Sequence, residues 1–273
     1  MSVEIDAQPT ETAAGRRQAP ELPRAEILGI PLALANYEST MDWMDEVVSG
    51  GHRAWLSAAA VHLVMVAQED DETRRAVLQA MTVPDGQPLV WALRALGHSQ
   101  ASRVYGPELM ARYCERSART GVRMYLYGGR TDEALRRLRE TLLERYPGLQ
   151  IVGSYSPPFR ALSSEEERDV AAAINASGAD VVWVGTGQPK QEKWMAEMRD
   201  RLDAPILAGV GAAFDFHAGI VPQAPAWMQR IGLEWSYRLA REPRRLWRRY
   251  ARYNPRFVAG FVRQYLAHRS RPQ

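Results

Sequence analysis

Short apolar runs alternate with segments of helical periodicity over most of the chain. The apolar runs predict strands, and the segments with apolar positions three or four residues apart predict helices. Strands are predicted over Ile27–Ile30, Ala54–Ser57, Arg123–Tyr127, Leu149–Gly153, Val181–Val184 and Pro205–Ala208. Helices are predicted over Thr40–Ser49, Asp71–Ala80, Pro88–Leu96, Gly106–Arg119, Asp132–Tyr146, Ser164–Ala176 and Lys190–Leu202. This alternation is typical of a mostly parallel α/β sheet flanked by helices, in which ligands bind at the carboxyl ends of the strands.

The two ends of the chain depart from this pattern. Residues 1–24 are polar, contain Pro, Ala and Gly without periodicity, and are predicted to form a disordered leader. We assign residues 25–226 to the α/β core and residues 227–273 to a C-terminal appendage. Asn254-Pro255 has the pattern of a helix N-cap followed by proline at the first helical position. Two short, basic, amphipathic helices are therefore expected in the appendage.

Basic residues are concentrated in this appendage. The chain of 273 residues has a net charge of +3, yet Arg241–Gln273 holds ten arginines and one acid. Aromatic residues interleave with the arginines, which favours a membrane surface and leaves a nucleic-acid patch or a solvated charged face as alternatives. The longest apolar run, Ala54–Ala67, is too short to span a bilayer, so a membrane role would be peripheral. The single cysteine, Cys114, and the lack of a signal-peptide pattern predict a cytoplasmic protein without disulfides.

The segment Val181–Trp194 runs from a buried-strand pattern through two glycines and a proline into a polar helix start. Such a junction presents backbone N–H groups where phosphates bind. It also contains the two lysines of the chain, Lys190 and Lys193. The residues predicted to bind a phosphate or a nucleotide here are Gly185, Gly187, Gln188, Lys190, Gln191 and Glu192. A tight turn with a solvated helix start is the alternative, and the missing third glycine excludes a dinucleotide-binding fingerprint.

Four further strand ends carry candidate residues. Gly128-Gly129 forms a second strand-to-helix junction, which would contact a phosphate or serve turn geometry alone. Asp215 would hold a ribose or sugar hydroxyl, or would cap a helix. Asp85 would act as a general base toward an acceptor hydroxyl, although an ordinary Asp-Gly turn has the same sequence. Ser57 would line the same cleft or pack beneath a helix.

The sequence offers no pattern of metal ligands. No Asp-x-Asp pair follows a strand, and His62 and His98 have no partner at metal-ligand spacing. We therefore expect neither a metal nor another cofactor, and arginines would neutralise a nucleotide diphosphate.

Four segments in this order resemble the WecG/TagA/CpsF family of bacterial glycosyltransferases, which is glycosyltransferase family 26. They are Val184–Trp194, Gly209–Asp215, Ala224–Met228 and Gly232–Arg245. Shorter matches at Asp85-Gly86, Tyr127-Gly128-Gly129 and Tyr146-Pro147-Gly148 lie upstream of them. The resemblance implies a Rossmann-like core with a C-terminal appendage that closes over the site. It also implies an inverting, metal-independent enzyme that moves a sugar from a UDP-sugar to a polyprenyl-diphosphate-linked saccharide at the cytoplasmic face of the membrane.

Carried over residue by residue, the resemblance implies the catalytic aspartate at Asp85, with Ser57 retaining a hydroxyl beside it. Appendage arginines that bind lipid or donor diphosphate are implied at Arg238, Arg241, Arg245 and Arg248. The expected partners are thus a UDP-sugar, the lipid-linked acceptor and the membrane surface, and not nucleic acid. The exposed aromatic appendage can also self-associate into a homo-oligomer when no membrane is present.

Finer features bear on the sugar. Many members carry Thr-x-Asn after the second strand, where this chain has Ser57-Ala58-Ala59, so a contact to an N-acetyl or hydroxyl group is lost. Pro84–Trp91 and Val104–Pro107 resemble members from xanthan-type exopolysaccharide pathways, which add glucose to lipid-linked glucose. Transfer of N-acetylmannosamine to lipid-linked N-acetylglucosamine is the enzymatic alternative. A nucleotide-cofactor oxidoreductase and a non-catalytic module that binds lipid phosphates or nucleic acid are the alternatives from other classes.

Overall fold

A computed structural model gives the fold of residues 19–270, apart from the side chains of Ala226, Arg230 and Arg245. The predicted leader lies outside the described residues up to residue 18. Within the described part of that leader, Ala19 and Leu22 pack against the core, and the Trp43 indole donates a hydrogen bond to the Pro20 carbonyl at 2.7 Å.

Six parallel strands form the central sheet of the described chain, in the spatial order β4-β3-β8-β7-β5-β6. Two further strands, β1 and β2, form a separate antiparallel hairpin. In chain order the strands are β1 Arg24–Ile27, β2 Ile30–Ala33, β3 Ala54–Ala59, β4 Met81–Pro84, β5 Arg123–Gly128, β6 Gln150–Tyr155, β7 Val181–Gly185 and β8 Ile206–Gly209. The prediction of a parallel α/β core is confirmed, and strand β4 was missed because its apolar run is only four residues long.

Helices flank this sheet and also form the appendage. They are α1 Tyr37–Ser49, α2 Val61–Val66, α3 Asp71–Gln79, α4 Gln87–Ala95, α5 Gly106–Thr120, α6 Asp132–Arg145, α7 Ser164–Ser177, α8 Lys190–Met198, α9 Ala213–His217, α10 Ala226–Arg230, α11 Glu234–Arg241 and α12 Pro243–Arg269. All seven predicted core helices are present. Local capping explains several of their starts, as where the Thr131 hydroxyl accepts a hydrogen bond from the Ala134 N–H at 3.1 Å.

Both faces of the sheet are covered, as a parallel sheet requires. Along β7, Val181 and Trp183 point into one apolar cluster, whereas Val182 and Val184 point into the cluster on the other face. All four side chains are completely buried. The apolar run that predicted this strand is therefore continuous because both of its faces pack against helices.

The predicted strand Ile27–Ile30 is wrong, because its two middle residues form the turn of the β1–β2 hairpin. Leu28 and Gly29 both have positive φ, 53° and 70°, as a two-residue hairpin turn requires. Leucine is unusual in this conformation. The side chain of Gln264 on α12 supports the turn by accepting a hydrogen bond from the Leu28 N–H at 2.9 Å.

The predicted break in the appendage at Asn254-Pro255 is also wrong, because α12 continues through Pro255. Proline inside a helix removes one backbone hydrogen bond and costs about 3 kcal/mol. Apolar anchors on both sides offset this cost: Leu246 is buried in the first half of the helix and Phe257 in the second half. Tertiary packing thus overrides the local signal.

The carboxyl ends of β5 and β7 lie unusually close together at two glycines. A Cβ atom added to Gly128 would lie 2.8 Å from the carbonyl carbon of Gly185, and Gly128 has a φ of +141°. Glycine at position 128 therefore allows the ends of β5 and β7 to pack closely. This role is independent of the predicted phosphate contact.

We expect Gly128→Ala to lower the free energy of unfolding by about 2–5 kcal/mol, because strained backbone and overpacking add. Gly187→Ala is the matched control, since Gly187 also has positive φ but its added Cβ meets nothing within 4 Å. This control should lose only about 1–2 kcal/mol. Urea unfolding of both variants measures the difference, and equal losses would show that the close approach to Gly185 is unimportant.

Candidate active site

The candidate residues from the strand ends gather along one edge of the sheet. Asp85 follows β4, Gly185 ends β7, and Asp215 lies on α9 after β8. The N–H groups of Asp85 and Gly86 both donate to the Ala59 carbonyl of β3, at 2.9 and 3.2 Å. The loop that carries the carboxylate is thereby fixed to the neighbouring strand.

Asp85 lies in a partly buried, charged environment, and its side chain is 18% exposed. Arg103 lies beside it, with its Nη2 atom 3.4 Å from Asp85 Oδ1 and its Nε atom bonded to the Asp85 carbonyl. Burial raises the pKa of the Asp85 carboxyl to about 6, since the attraction of Arg103 opposes that effect only in part and Glu234 adds to it. A carboxylate with such a pKa is suited to accept a proton near neutral pH.

A cavity of about 550 Å³ opens in front of Asp85, between helices α2 and α4 and the appendage helices α11 and α12. Its lining combines charged side chains with aromatic and apolar ones. The charged side chains are Asp85, Arg103, Glu234, Arg238 and Arg249. The apolar side chains include Trp91, Trp235, Phe257, Val258 and Phe261. A lining of both kinds is suited to a ligand that has anionic and apolar groups.

His62 also lines this cavity, although its sequence context indicated only a structural role. Its ring meets that of Tyr253 edge to face, with 5.2 Å between the centroids. Burial lowers the pKa of His62 to about 3, and the charge of Arg249 acts in the same direction, so the imidazole is neutral at physiological pH. Its Nδ1 atom is buried and has no hydrogen-bond partner among the described residues.

The loop after β7 combines fixed and open positions. Gln188 donates to the Ala58 carbonyl of β3 at 2.6 Å, so this side chain ties the loop to the sheet. Gly187 borders open space, and Lys190 is exposed. The hydroxyl of Thr186 is buried and has no hydrogen-bond partner among the described residues. No sequence pattern had indicated Thr186 as a site residue. Lys193 instead pairs with Asp70 and Glu72 near the start of α3, at 2.6 and 2.7 Å.

Ser57, Gln191 and Glu192 form a buried network rather than a cavity wall. All three are completely buried. The Ser57 hydroxyl and the Gln191 amide donate to Glu192 Oε1 at 2.7 and 2.9 Å, and Gln191 Oε1 accepts from the Gly211 N–H at 3.1 Å. Burial raises the pKa of Glu192, which these two donors oppose. In this arrangement the three side chains join β3, α8 and the end of β8 to one another.

Asp215 is held by an arginine from the Gly-Gly junction. Arg130 Nε lies 3.1 and 3.0 Å from the two carboxylate oxygens of Asp215. The same guanidinium lies 3.8 Å from Glu242, where α12 begins. Gly128 and Gly129, both with positive φ, shape the loop that presents Arg130.

The predicted appendage arginines occupy different environments. Arg238 lines the cavity. Arg241 and Arg248 are exposed and lie over the rings of Tyr237 and Trp247, at 5.4 and 5.6 Å from the ring centroids. The side chain of Arg245 lies outside the described residues. Sequence reasoning did not select Arg103 or Arg249, which line the cavity. It also did not select Arg130, which pairs with Asp215.

The described residues contain no group of three or more His, Cys, Asp or Glu side chains arranged to hold a metal ion.

A family model described as "Glycosyl transferase WecG/TagA/CpsF family" matches residues 25–271 of the chain. The chain belongs to the WecG/TagA/CpsF family of glycosyl transferases. Membership makes it a transferase that uses a sugar donor, and the match includes both the parallel core and the appendage helices. The resemblance read from the sequence is thereby confirmed at the level of the family.

We expect Ser57→Ala to lower the free energy of unfolding by about 1–3 kcal/mol, because Glu192 Oε1 loses a buried donor. Ser117→Ala is the matched control: Ser117 is equally buried, but its hydroxyl has no partner among the described residues. This control should be neutral or slightly stabilising. Chemical denaturation of both variants tests the network, and a Ser57 variant as stable as the parent would contradict it.

Proposed function

We propose that this protein is an inverting, metal-independent glycosyltransferase that moves a sugar from a UDP-sugar to a polyprenyl-diphosphate-linked saccharide. The observation that carries the proposal is Asp85, a carboxylate with a pKa of about 6 that lines a cavity together with arginines and many apolar side chains. A general base belongs where an acceptor hydroxyl enters, and this entrance suits an amphiphilic acceptor.

The acceptor side of the proposal uses the arginines and the apolar side chains of the cavity lining. Arg238 and Arg249 would meet the lipid diphosphate, because guanidinium groups bind phosphate oxygens in pairs. Trp91, Val258 and Phe261 would contact the first isoprene units. Arg241, Arg245 and Arg248 remain proposed diphosphate or lipid contacts on the same appendage.

The donor side uses the ends of β5, β7 and β8. Gly187 and Lys190 lie at open positions suited to the UDP diphosphate. Gln188, Gln191 and Glu192 would act by holding this loop against β3. Arg130 holds Asp215 in place, and the Asp215 carboxylate would accept a hydrogen bond from a hydroxyl group of the UDP-sugar.

The proposed reaction is a single displacement. The carboxylate of Asp85 accepts the proton of the acceptor hydroxyl as its oxygen forms a bond to the anomeric carbon. The bond from that carbon to the diphosphate oxygen breaks, and UDP leaves with the electron pair. Inversion follows because attack and departure occur on opposite faces of the sugar. The arginines stabilise the charge that develops on the leaving diphosphate.

Glucose transfer to a lipid-linked glucose is the substrate pair that we favour, and N-acetylmannosamine transfer is the alternative. The side chain of Ala59, which is buried, offers no polar group to an N-acetyl substituent. Support for glucose otherwise rests on the resemblance of Pro84–Trp91 and Val104–Pro107 to exopolysaccharide enzymes.

The appendage carries the features expected of a surface that binds a membrane. None of the described helices combines the length and hydropathy needed to cross a bilayer. Large apolar side chains nevertheless stand exposed among its arginines: Trp227, Ile231, Trp235, Trp247, Val258, Val262 and Leu266. Aromatic and basic residues together suit the boundary of an anionic lipid surface. We place this surface against the cytoplasmic face of the cell membrane. Where no membrane is present, the same surface would bind a second copy of this chain.

We expect Asp85→Asn to reduce turnover by about 100-fold to 10,000-fold, because the amide cannot accept the proton. UDP release is measured with a panel of UDP-sugars and a lipid-linked monosaccharide in detergent, with EDTA present. Donor affinity and the free energy of unfolding should stay close to those of the parent. Turnover at the parent rate would remove Asp85 from the mechanism, and a need for added divalent cation would remove metal independence.

The pH dependence follows from the same carboxyl. The pKa of Asp85 is raised, so the group becomes protonated and inactive as the pH falls through about 6. A profile of kcat/KM against pH should therefore decline on its acid side with an apparent pKa near that value. A profile that stays flat down to pH 4.5 would contradict the assignment.

We expect the combined variant Trp247→Ser, Val262→Ser, Leu266→Ser to bind anionic lipid vesicles more weakly by about 100-fold or more, because burial of each of the three apolar side chains contributes about 1 kcal/mol or more. Phe159→Ser is the control, since Phe159 is 87% exposed but lies on the core after β6. Vesicle co-sedimentation and DNA binding are compared at equal salt. Equal losses in both variants would contradict a membrane-binding appendage, and tighter binding to DNA would favour a nucleic-acid module.

A further inference from the structure

Glu234 belongs to the Gly232–Arg245 segment, and neither the donor nor the acceptor contacts proposed above use it. It is the first residue of α11 and is buried, although glutamate is rarely buried without a partner. Its Oε2 atom lies 2.6 Å from Arg103 Nη2. The appendage therefore contributes a buried carboxylate beside the candidate base.

Arg103 connects this carboxylate to Asp85. Its Nη2 atom faces both Glu234 Oε2, at 2.6 Å, and Asp85 Oδ1, at 3.4 Å. Its Nε atom donates a hydrogen bond to the Asp85 carbonyl, and its Nη1 atom donates to the Gln229 carbonyl of α10 at 3.4 Å. A rigid, planar guanidinium group is suited to hold several acceptors at once, because its N–H donors keep fixed relative directions.

The surrounding packing fixes the guanidinium group in place. The guanidinium lies over the ring of Tyr105, with 4.3 Å to the centroid. Gly232, two residues before the start of α11, lies against Trp91 of α4, where an added Cβ would be 2.8 Å from the indole. The close contact between Gly232 and Trp91 thus helps to hold α11 where Glu234 reaches Arg103.

We propose that Glu234 is a positioning residue: through Arg103 it couples the docking of helix α11 to the placement and charge of Asp85. The base is then competent only while the appendage is closed over the cavity. The inference rests on the proposed transfer reaction for its consequence in turnover, but not for the coupling itself.

Other groups around Asp85 define what a substitution would change. Tyr37 and Tyr105 also face it, and burial raises the pKa of Tyr37 to about 12 and that of Tyr105 well above its usual range, so both stay neutral. Gly106 N–H lies 3.5 Å from Asp85 Oδ2. Further along the cavity lie His62, Arg238 and Arg249. Arg103 lowers the pKa of Asp85 and Glu234 raises it, so the two charged groups act in opposite directions.

The first experiment follows the Asp85 carboxyl directly by carbon-13 NMR, with labelled aspartate and Asp85→Asn to assign the signal. Glu234→Gln removes a negative charge and should lower the pKa of Asp85. Arg103→Gln removes the positive charge and should raise it. Glu115→Gln is the control, because Glu115 forms an exposed pair with Arg119 on α5 and should leave the titration unchanged.

The second experiment measures amide hydrogen exchange of residues 234–241 in the intact protein. Glu234→Gln should speed exchange in this segment, because a buried charge-assisted bond holds it, whereas Glu115→Gln should not. Arg103→Lys keeps the charge but loses the planar guanidinium group, so it should speed exchange while shifting the titration less than Arg103→Gln.

The third readout is turnover. Glu234→Gln should lower kcat by about 10-fold to 100-fold with little change in KM, because the base is misplaced. The acid side of the pH profile of kcat/KM should move to lower pH in the Glu234→Gln variant. A Glu234→Gln protein with the parent's titration and parent's exchange would overturn the proposal. A parent that releases no UDP with any donor would instead overturn the proposed function, and the first two experiments would still decide the coupling.

Discussion

Burial of Phe257 against α2 and the β1–β2 hairpin is the contact on which the candidate site depends. Phe257 belongs to the same apolar cluster as Ile30 and Leu63. Burial of one such side chain stabilises by about 1.5–3 kcal/mol. Arg252 and Arg256 add ion pairs to Glu69, the first at 2.7 Å. These contacts hold α12 across the cavity, so that this helix forms one wall of the site.

The cavity and the charges inside it depend on one another. A carboxylate in a partly buried place raises the free energy of the folded state unless a positive group lies nearby. Arg103 supplies that group for Asp85 and also for Glu234, and it belongs to the core rather than to the appendage. The same arginine that makes the site tolerable electrostatically therefore also fixes where α11 can pack.

Much of the core could be predicted from the sequence because its signals are local. The strand pattern of β7, the capping residues of the helices and the position of Asp85 after an apolar run all depend on neighbours along the chain. The hairpin turn and the continuous α12 could not be predicted, since distant groups stabilise both. Leu28 adopts its unusual backbone with help from Gln264, and Pro255 is tolerated because Leu246 and Phe257 are buried.

The grouping of the candidate residues was predictable, but the contacts that each of them makes were less so. The strand ends lie along one edge of the sheet, because parallel strands bring their carboxyl ends together. No local signal, however, pairs Ser57 with Glu192, which lie 135 residues apart, or places Arg103 between two carboxylates. Buried polar partners must satisfy one another in three dimensions, and that requirement leaves no trace in the spacing of a single segment.

The contact between the hairpin and α12 has a consequence for the order in which the molecule is completed. Gln264 accepts from the Leu28 N–H and donates to the Glu26 carbonyl, across 236 and 238 positions of the chain. During synthesis the hairpin leaves the ribosome before the strands of the central sheet, and α12 leaves after them. The parallel sheet can therefore assemble before α12 is available to close the cavity. A nascent chain would bury its core well before it could enclose a ligand beside Asp85.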